Sequence, residues 1–137
     1  MADLTVTAAN VVPDAGGSTQ SITFGETVTA GQVLYLAAAD GRYYKTICNS
    51  ATAEIRVVSG IALNGGAAGQ PGTMLTAGTV TIGATTVVGK IYVASATAGG
   101  IAPSTDLVTG WYTAIIGIGI TASKILLSIK NGGVAVP

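Results

Sequence analysis

Hydrophobic and polar residues alternate along most of this chain with a period of two, which is the pattern of half-buried β-strands. Val80 and Ile82 are separated by a threonine, and Ile125, Leu127 and Ile129 form a second alternating set near the C-terminus. No window of helical length carries an apolar stripe at helical spacing without interruption by glycine. The pattern predicts an all-β fold of roughly eight to ten short strands, in a single compact β-barrel or β-sandwich.

Turn signals separate the alternating segments. Asp40-Gly41 is typical of a tight hairpin turn, and Gly99-Gly100 ends a later segment. Strands are predicted at 54–63 and at 111–120. The second of these is expected to place five side chains on one face of a sheet: Tyr112, Ala114, Ile116, Ile118 and Ile120.

A weak internal repeat runs through the chain. The segment 29–35 resembles 87–93, in which Gly89 follows Gly31 by 58 residues. The segment 58–63 resembles 115–120 at nearly the same spacing. Two matches at one spacing favour two related β-halves, and chance matching in a sequence so rich in Gly, Val, Ile and Thr is the alternative.

The first 20 residues lie outside this repeat and contain a loop with Pro13, Asp14 and Gly16. We expect residues 1–20 to form an extended N-terminal arm and residues 21–137 to form one β domain. The tail from Asn131 onward is similar in character and is expected to reach a neighbour. No basic segment followed by an apolar one opens the chain, so no signal peptide is predicted.

Charge is scarce in this sequence. Only 9% of the residues are charged, against about a quarter in ordinary soluble domains. Charges on surfaces and on strand edges usually discourage association, so this composition favours an oligomer or a subunit of an assembly over a weakly charged monomer. The balance of six basic and six acidic residues offers no basic surface for nucleic acid or membranes, so neither is expected as a partner.

The residues needed for most catalytic sites are absent or scattered. The chain has no histidine, and its one cysteine, Cys48, is expected to be a buried structural thiol. Its six acidic residues show no paired spacing, and the P-loop-like segment 83–90 lacks the Ser or Thr that would hold magnesium. We therefore expect no enzyme activity, no catalytic residue, no cofactor and no metal site.

Two short aromatic clusters are the candidate interface residues. Arg42, Tyr43 and Tyr44 form one, and we expect them on an edge strand where the tyrosines cover the core and the basic residues protect the edge. Trp111 and Tyr112 form the other. Aromatic residues and arginine carry most of the binding energy in protein interfaces, so these five residues are the expected anchors of any contact.

Several segments resemble a known kind of protein. They are 25–36, 40–45, 58–63, 68–72 and 77–80, in which an apolar strand after a glycine, an Asp-Gly turn, a Gly-Ile-Ala strand and a Gly-rich loop follow one another. This series resembles the small head decoration, or capsid cement, proteins of tailed bacteriophages. The resemblance implies a structural protein on the outer capsid surface of a virion, made in the host cytoplasm. It also implies a homotrimer whose partner is the major capsid protein, and it assigns no functional residue.

Two other functions stay open on the sequence. A phage tail or fibre module has similar β-repeats. A carbohydrate-binding β-domain would use Tyr43, Tyr44 and Trp111 as platforms for sugar rings.

Overall fold

A computed structural model describes residues 3–137, and the fold is all-β, as predicted. The described chain forms ten strands and three short 3-10 helices. The strands are β1 (Val11–Pro13), β2 (Ser18–Thr23), β3 (Val33–Leu36), β4 (Tyr43–Lys45), β5 (Gly60–Ala62), β6 (Pro71–Ile82), β7 (Ile91–Ala94), β8 (Ile101–Pro103), β9 (Tyr112–Gly119) and β10 (Lys124–Ala135). The helices cover Ala8–Asn10, Ala53–Arg56 and Ser104–Asp106. Together they make one compact domain around a curled antiparallel sheet.

The order of strands across this sheet is symmetric about its centre. It reads β4-β3-β5-β6-β10-β9-β7-β8, with β1 and β2 pairing beside β6. Residues 18–77, which we call the first repeat, supply β2 to β5 and the start of β6. Residues 78–135, the second repeat, supply the end of β6 and β7 to β10. Each repeat therefore lays out its strands in the same order.

Backbone hydrogen bonds confirm that the two repeats are related. The Gly31 N–H donates to the Ala62 carbonyl over 2.8 Å, and the Gly89 N–H donates to the Gly119 carbonyl over 2.8 Å. The return bonds, from Ala62 N–H to Gln32 and from Gly119 N–H to Lys90, are both 2.9 Å long. The similarity of 29–35 to 87–93 and of 58–63 to 115–120 is thus a similarity of structure.

The hairpins of the two repeats also share one register. Leu34 pairs with Lys45 between β3 and β4, and Tyr92 pairs with Pro103 between β7 and β8. Their turns use Gly41 at φ +70° and Gly99 at φ +72°, a left-handed conformation that glycine adopts without steric cost.

Two clusters of buried apolar side chains form the core. The smaller cluster lies in the first repeat and contains Phe24, Leu34 and Met74. The larger cluster contains Tyr92, Ile116 and many side chains from both repeats. The strand β6 runs through both halves of the fold, which makes the domain a single unit.

The expected face of β9 is wrong at its C-terminal end. Ala114 and Ile116 are buried, but Ile118 and Ile120, which were predicted to share their face, are about 40% exposed. The pairing of β9 with β7 shifts by one residue, from Gly117 opposite Tyr92 to Ile115 opposite Val93. An extra residue in one strand is a β-bulge, which reverses the faces beyond it.

The strand predicted at 54–63 is only partly present. Ala53–Arg56 forms a 3-10 helix, and the strand β5 covers Gly60–Ala62 alone. Glu54 belongs to the helix, and its carboxylate accepts the Ala38 N–H over 3.2 Å. This bond ties the helical turn to the loop after β3, so the alternation here does not form one strand.

The described part of the predicted N-terminal arm lies against its own domain. Leu4 N–H donates to the Ile101 carbonyl, and Thr7 N–H donates to the Gly83 carbonyl, both over 2.8 Å. Val11 is buried in the larger core, and its strand β1 pairs with the end of β6. Residues 1 and 2 lie outside the described chain, and contact of the arm with a neighbour stays a prediction.

Candidate functional site

The first aromatic cluster lies at the end of the sheet, as expected of an edge strand. Arg42 precedes β4, which is the terminal strand of the sheet order. The Asp40 carboxylate accepts the Arg42 N–H over 3.0 Å and the Tyr44 hydroxyl over 2.6 Å. Both bonds favour the ionised carboxylate, so the pKa of Asp40 is lowered, chiefly by the bond from Tyr44. The same bond raises the pKa of the Tyr44 phenol.

The tyrosines of β4 divide between core and surface. Tyr43 is buried in the smaller core, and its hydroxyl accepts a bond of 3.0 Å from the Gln20 amide. Tyr44 is half-buried and stacks on Tyr35 with 5.9 Å between ring centroids. The faces of these rings are therefore engaged within the chain, which leaves Arg42 as the exposed member of the cluster.

The second aromatic cluster lies at the start of β9. The Arg56 guanidinium sits 3.5 Å from the centre of the Tyr112 ring, a cation–π contact. Trp111 is half-buried against the larger core, and its carbonyl accepts the Val136 N–H over 2.7 Å. The two clusters have separate sets of contacts, the first around Asp40 and the second around Arg56 and the C-terminus. Their role as interface anchors stays a prediction.

A row of exposed apolar side chains crosses the outer face of the second repeat. Ile91, Ile118 and Leu126 are directly paired across β7, β9 and β10. They are 39%, 41% and 44% exposed. Ile120 lies two residues further along the same face and is 40% exposed. We call these four residues the apolar row.

The corresponding side chains of the first repeat are fully buried. Val33 pairs with Ile61 and Ile61 pairs with Leu75, in the register of Ile91, Ile118 and Leu126. All three are 0% exposed and belong to the larger core. The same surface is thus covered within the chain in the first repeat and exposed in the second repeat.

The C-terminal strand helps to cover the first repeat. The Asn131 amide of β10 accepts the Val58 N–H over 2.9 Å and donates to the Val58 carbonyl over 3.1 Å. Leu127, on the same strand, is buried in the larger core. Within residues 3–137, no strand covers the apolar row in the same way.

One charged residue flanks the apolar row on β10. Lys124 lies on the same side of β10 as Leu126, because alternate residues of a strand share a face, and it forms an ion pair of 3.0 Å with Asp14. An exposed pair of this kind contributes little stability. The four side chains of the row itself are apolar.

The apolar row was not predicted from the sequence. The alternating pattern places Ile118 and Ile120 on the same face as Ala114 and Ile116, because the bulge in β9 is not visible in it. The signal that was available is Leu126, which is apolar although it lies between the core residues Ile125 and Leu127. An apolar residue on the outward side of an alternating strand indicates a surface that another element covers.

Cys48 is buried, which confirms its predicted position. Burial raises the pKa of its thiol to about 11, because desolvation disfavours the thiolate. Within residues 3–137, no three His, Cys, Asp or Glu side chains lie close enough to hold a metal ion. In the same range, no helix is long and apolar enough to cross a membrane.

Comparison with models of known protein families and with curated protein sequences finds no match to this chain. The geometry of the surface is thus the main guide to function.

Proposed function

We propose that this protein is a structural protein of a virus particle that binds the outer surface of a tailed-phage capsid and stabilises contacts between major capsid subunits. The observation that carries the proposal is the apolar row of Ile91, Ile118, Ile120 and Leu126, whose counterpart is buried within the chain. A surface that one repeat covers and the other leaves open fits a contact with another protein.

The weak charge of the chain supports the same function. A capsid cement protein needs a broad contact surface with little net charge, and only 9% of these residues are charged. The resemblance of the segments from 25 to 80 to decoration proteins supports a place on the capsid exterior. Under this proposal the protein is a homotrimer and its partner is the major capsid protein.

The aromatic rings argue against the carbohydrate-binding alternative. A sugar platform needs an open ring face. Of the three rings that this alternative would use, Tyr43 is buried and Tyr44 stacks on Tyr35, while Trp111 is half-buried against the larger core. A tail or fibre module would share the same surface and differ only in its place on the particle.

Co-sedimentation tests the proposal. Purified protein is mixed with expanded, empty heads of the virus that encodes it, and its mass in solution is measured alongside. We expect saturable binding to heads and a solution mass three times that of the chain. Protein that stays in the supernatant at all concentrations would overturn the proposal. A solution mass equal to that of one chain would show that the homotrimer part of the proposal is wrong.

A further inference from the structure

The end of β6 has both of its edges covered. One edge pairs with β10, where Val80 lies opposite Ile125. The other edge pairs with β1, where Val11 lies opposite Ile82 and the Asp14 N–H donates to the Thr79 carbonyl over 2.8 Å. A short extended segment of the chain thus completes the second repeat.

The strand β2 holds the corresponding place in the first repeat. Its end is fixed by a bond of 2.9 Å from Phe24 N–H to the Gln70 carbonyl, as the end of β6 is fixed by a bond of 3.0 Å from Ile82 N–H to the Ser123 carbonyl. Among the described strands, however, β2 pairs with β6 alone. In the first repeat β4 covers the far end of this edge, where Phe24 forms a parallel bridge with Tyr43, and within the described chain the stretch from Thr19 to Ser21 has no strand partner on that side.

The register shows which backbone groups this edge presents. Thr23 lies opposite Pro71, which has no N–H to donate. In an antiparallel pair this is a position without hydrogen bonds to the partner, and such positions recur at every second residue. The N–H and C=O groups of Ser21 and Thr19 therefore point away from β6, toward the open edge.

A groove of about 490 Å³ lies beside the edge. Its apolar wall consists of Ile22, Tyr43 and Leu36, and Leu36 is 44% exposed. The lining contains no charged side chain, since the other residues are Gln20, Ser21, Thr23 and Gly41. At its far end the groove is closed by a bond of 2.8 Å from Gly25 N–H to the Tyr43 carbonyl.

We propose that the open edge of β2 binds an extended, uncharged segment of the major capsid subunit by strand addition. Strand addition supplies backbone bonds along an edge and a groove for alternate side chains. The second repeat carries a strand of this kind on the corresponding edge, the short segment Val11-Val12-Pro13. The absence of charge in the groove lining selects an uncharged segment. The identity of the partner rests on the proposed function, whereas the binding mode rests on the groove.

A peptide with the sequence of residues 7–13, blocked at both ends and without a charged residue, is the probe for the binding mode. We expect millimolar peptide to shift the backbone NMR signals of residues 19–23 and of Leu36. Leu36→Lys weakens this binding at least tenfold, and Val88→Lys, which changes a side chain that is 67% exposed in the turn before β7, leaves it unchanged. Shifts confined to residues 79–82, which would report exchange with β1, or no shifts at all would overturn the inference.

Head binding separates this inference from the proposed function. We expect Leu36→Lys to bind heads at least tenfold more weakly than Val88→Lys. Equal binding by both variants would overturn the inference and leave the proposed function standing. If the unmodified protein does not bind heads, the proposed function fails, and the peptide still decides whether the groove binds a strand. A loss of self-association in Leu36→Lys would identify a second copy of this chain as the occupant of the groove. It would overturn the inference that a segment of the capsid subunit binds there.

Discussion

Gly60 of β5 and Gly117 of β9 occupy the same position in the two repeats. A Cβ atom on Gly60 would collide with the Leu75 carbonyl of β6, and one on Gly117 would collide with the Leu126 carbonyl of β10. In each repeat the glycine allows the neighbouring strand to approach closely. The two glycines thus mark one backbone arrangement that the fold uses twice.

Substitution of either glycine by alanine is therefore expected to destabilise the fold. For Gly60→Ala and Gly117→Ala we expect a loss of about 1–3 kcal/mol in the free energy of unfolding, because the added methyl group meets backbone that must shift. Denaturant unfolding measures this loss. The control is Ser59→Ala, which removes one oxygen at the neighbouring position. A loss equal to that of Ser59→Ala would contradict the proposed close approach.

This arrangement was partly predictable from the sequence. The matched segments 58–63 and 115–120 contain the two glycines, and the repeat spacing gave their correspondence. The sequence could not show that the repeats share β6, because strand pairing over such distances depends on tertiary contacts. Nor could it show the bulge in β9. The extra residue leaves the apolar pattern of the sequence intact, but the side chains beyond it point to the opposite face of the sheet.

The candidate interface residues were also predictable only in part. The edge position of β4 and the buried side of Tyr43 follow from the run of residues 42–45. The contact of Arg56 with Tyr112 joins residues distant in the chain, and no local pattern announces it. The packing of residues 4–14 against their own domain was also not predicted. Their alternating pattern indicates a strand but does not show which strand they pair with.

Asn131 joins the two repeats through its side chain, and its removal is expected to weaken the domain. Asn131→Ala leaves the N–H and C=O of the buried Val58 without this partner. We expect a loss of about 1–3 kcal/mol in unfolding free energy. Asn131→Asp keeps only the acceptor, so its unfolding free energy should lie between those of the unmodified protein and Asn131→Ala. Asn49→Ala, at another exposed position, is the control. An effect no larger than that of Asn49→Ala would contradict this role.

Stability should depend on pH through Cys48. The pKa of this thiol is about 11 in the folded protein, above its ordinary value of 9.0, so the unfolded chain loses the proton first as pH rises. The contribution to stability is complete below pH 9 and is lost between pH 9 and pH 11. We expect the loss to be roughly 1–3 kcal/mol and absent from Cys48→Ala. Denaturation curves measured across this pH window test it. Equal pH dependence in both proteins would contradict the buried thiol.

The bond between Tyr44 and Asp40 should be visible in the titration of the carboxylate. Tyr44→Phe removes the largest cause of the lowered pKa of Asp40, and the bond from the Arg42 N–H remains. We expect the pKa of Asp40 to rise in this variant and to stay below the ordinary value. Titration of the carboxyl carbon by NMR measures the change, with Tyr35→Phe as the control. A pKa of Asp40 that did not move would contradict the bond.

The most direct test of the capsid-binding function is the affinity of Ile118→Lys for expanded heads, compared with that of Val88→Lys. Both variants place a lysine at an exposed apolar position, and only the first lies in the apolar row. With both variants folded, as judged by equal unfolding midpoints, we predict at least tenfold weaker binding of Ile118→Lys and unchanged binding of Val88→Lys. Equal binding of the two variants would contradict the assignment of this surface to the capsid.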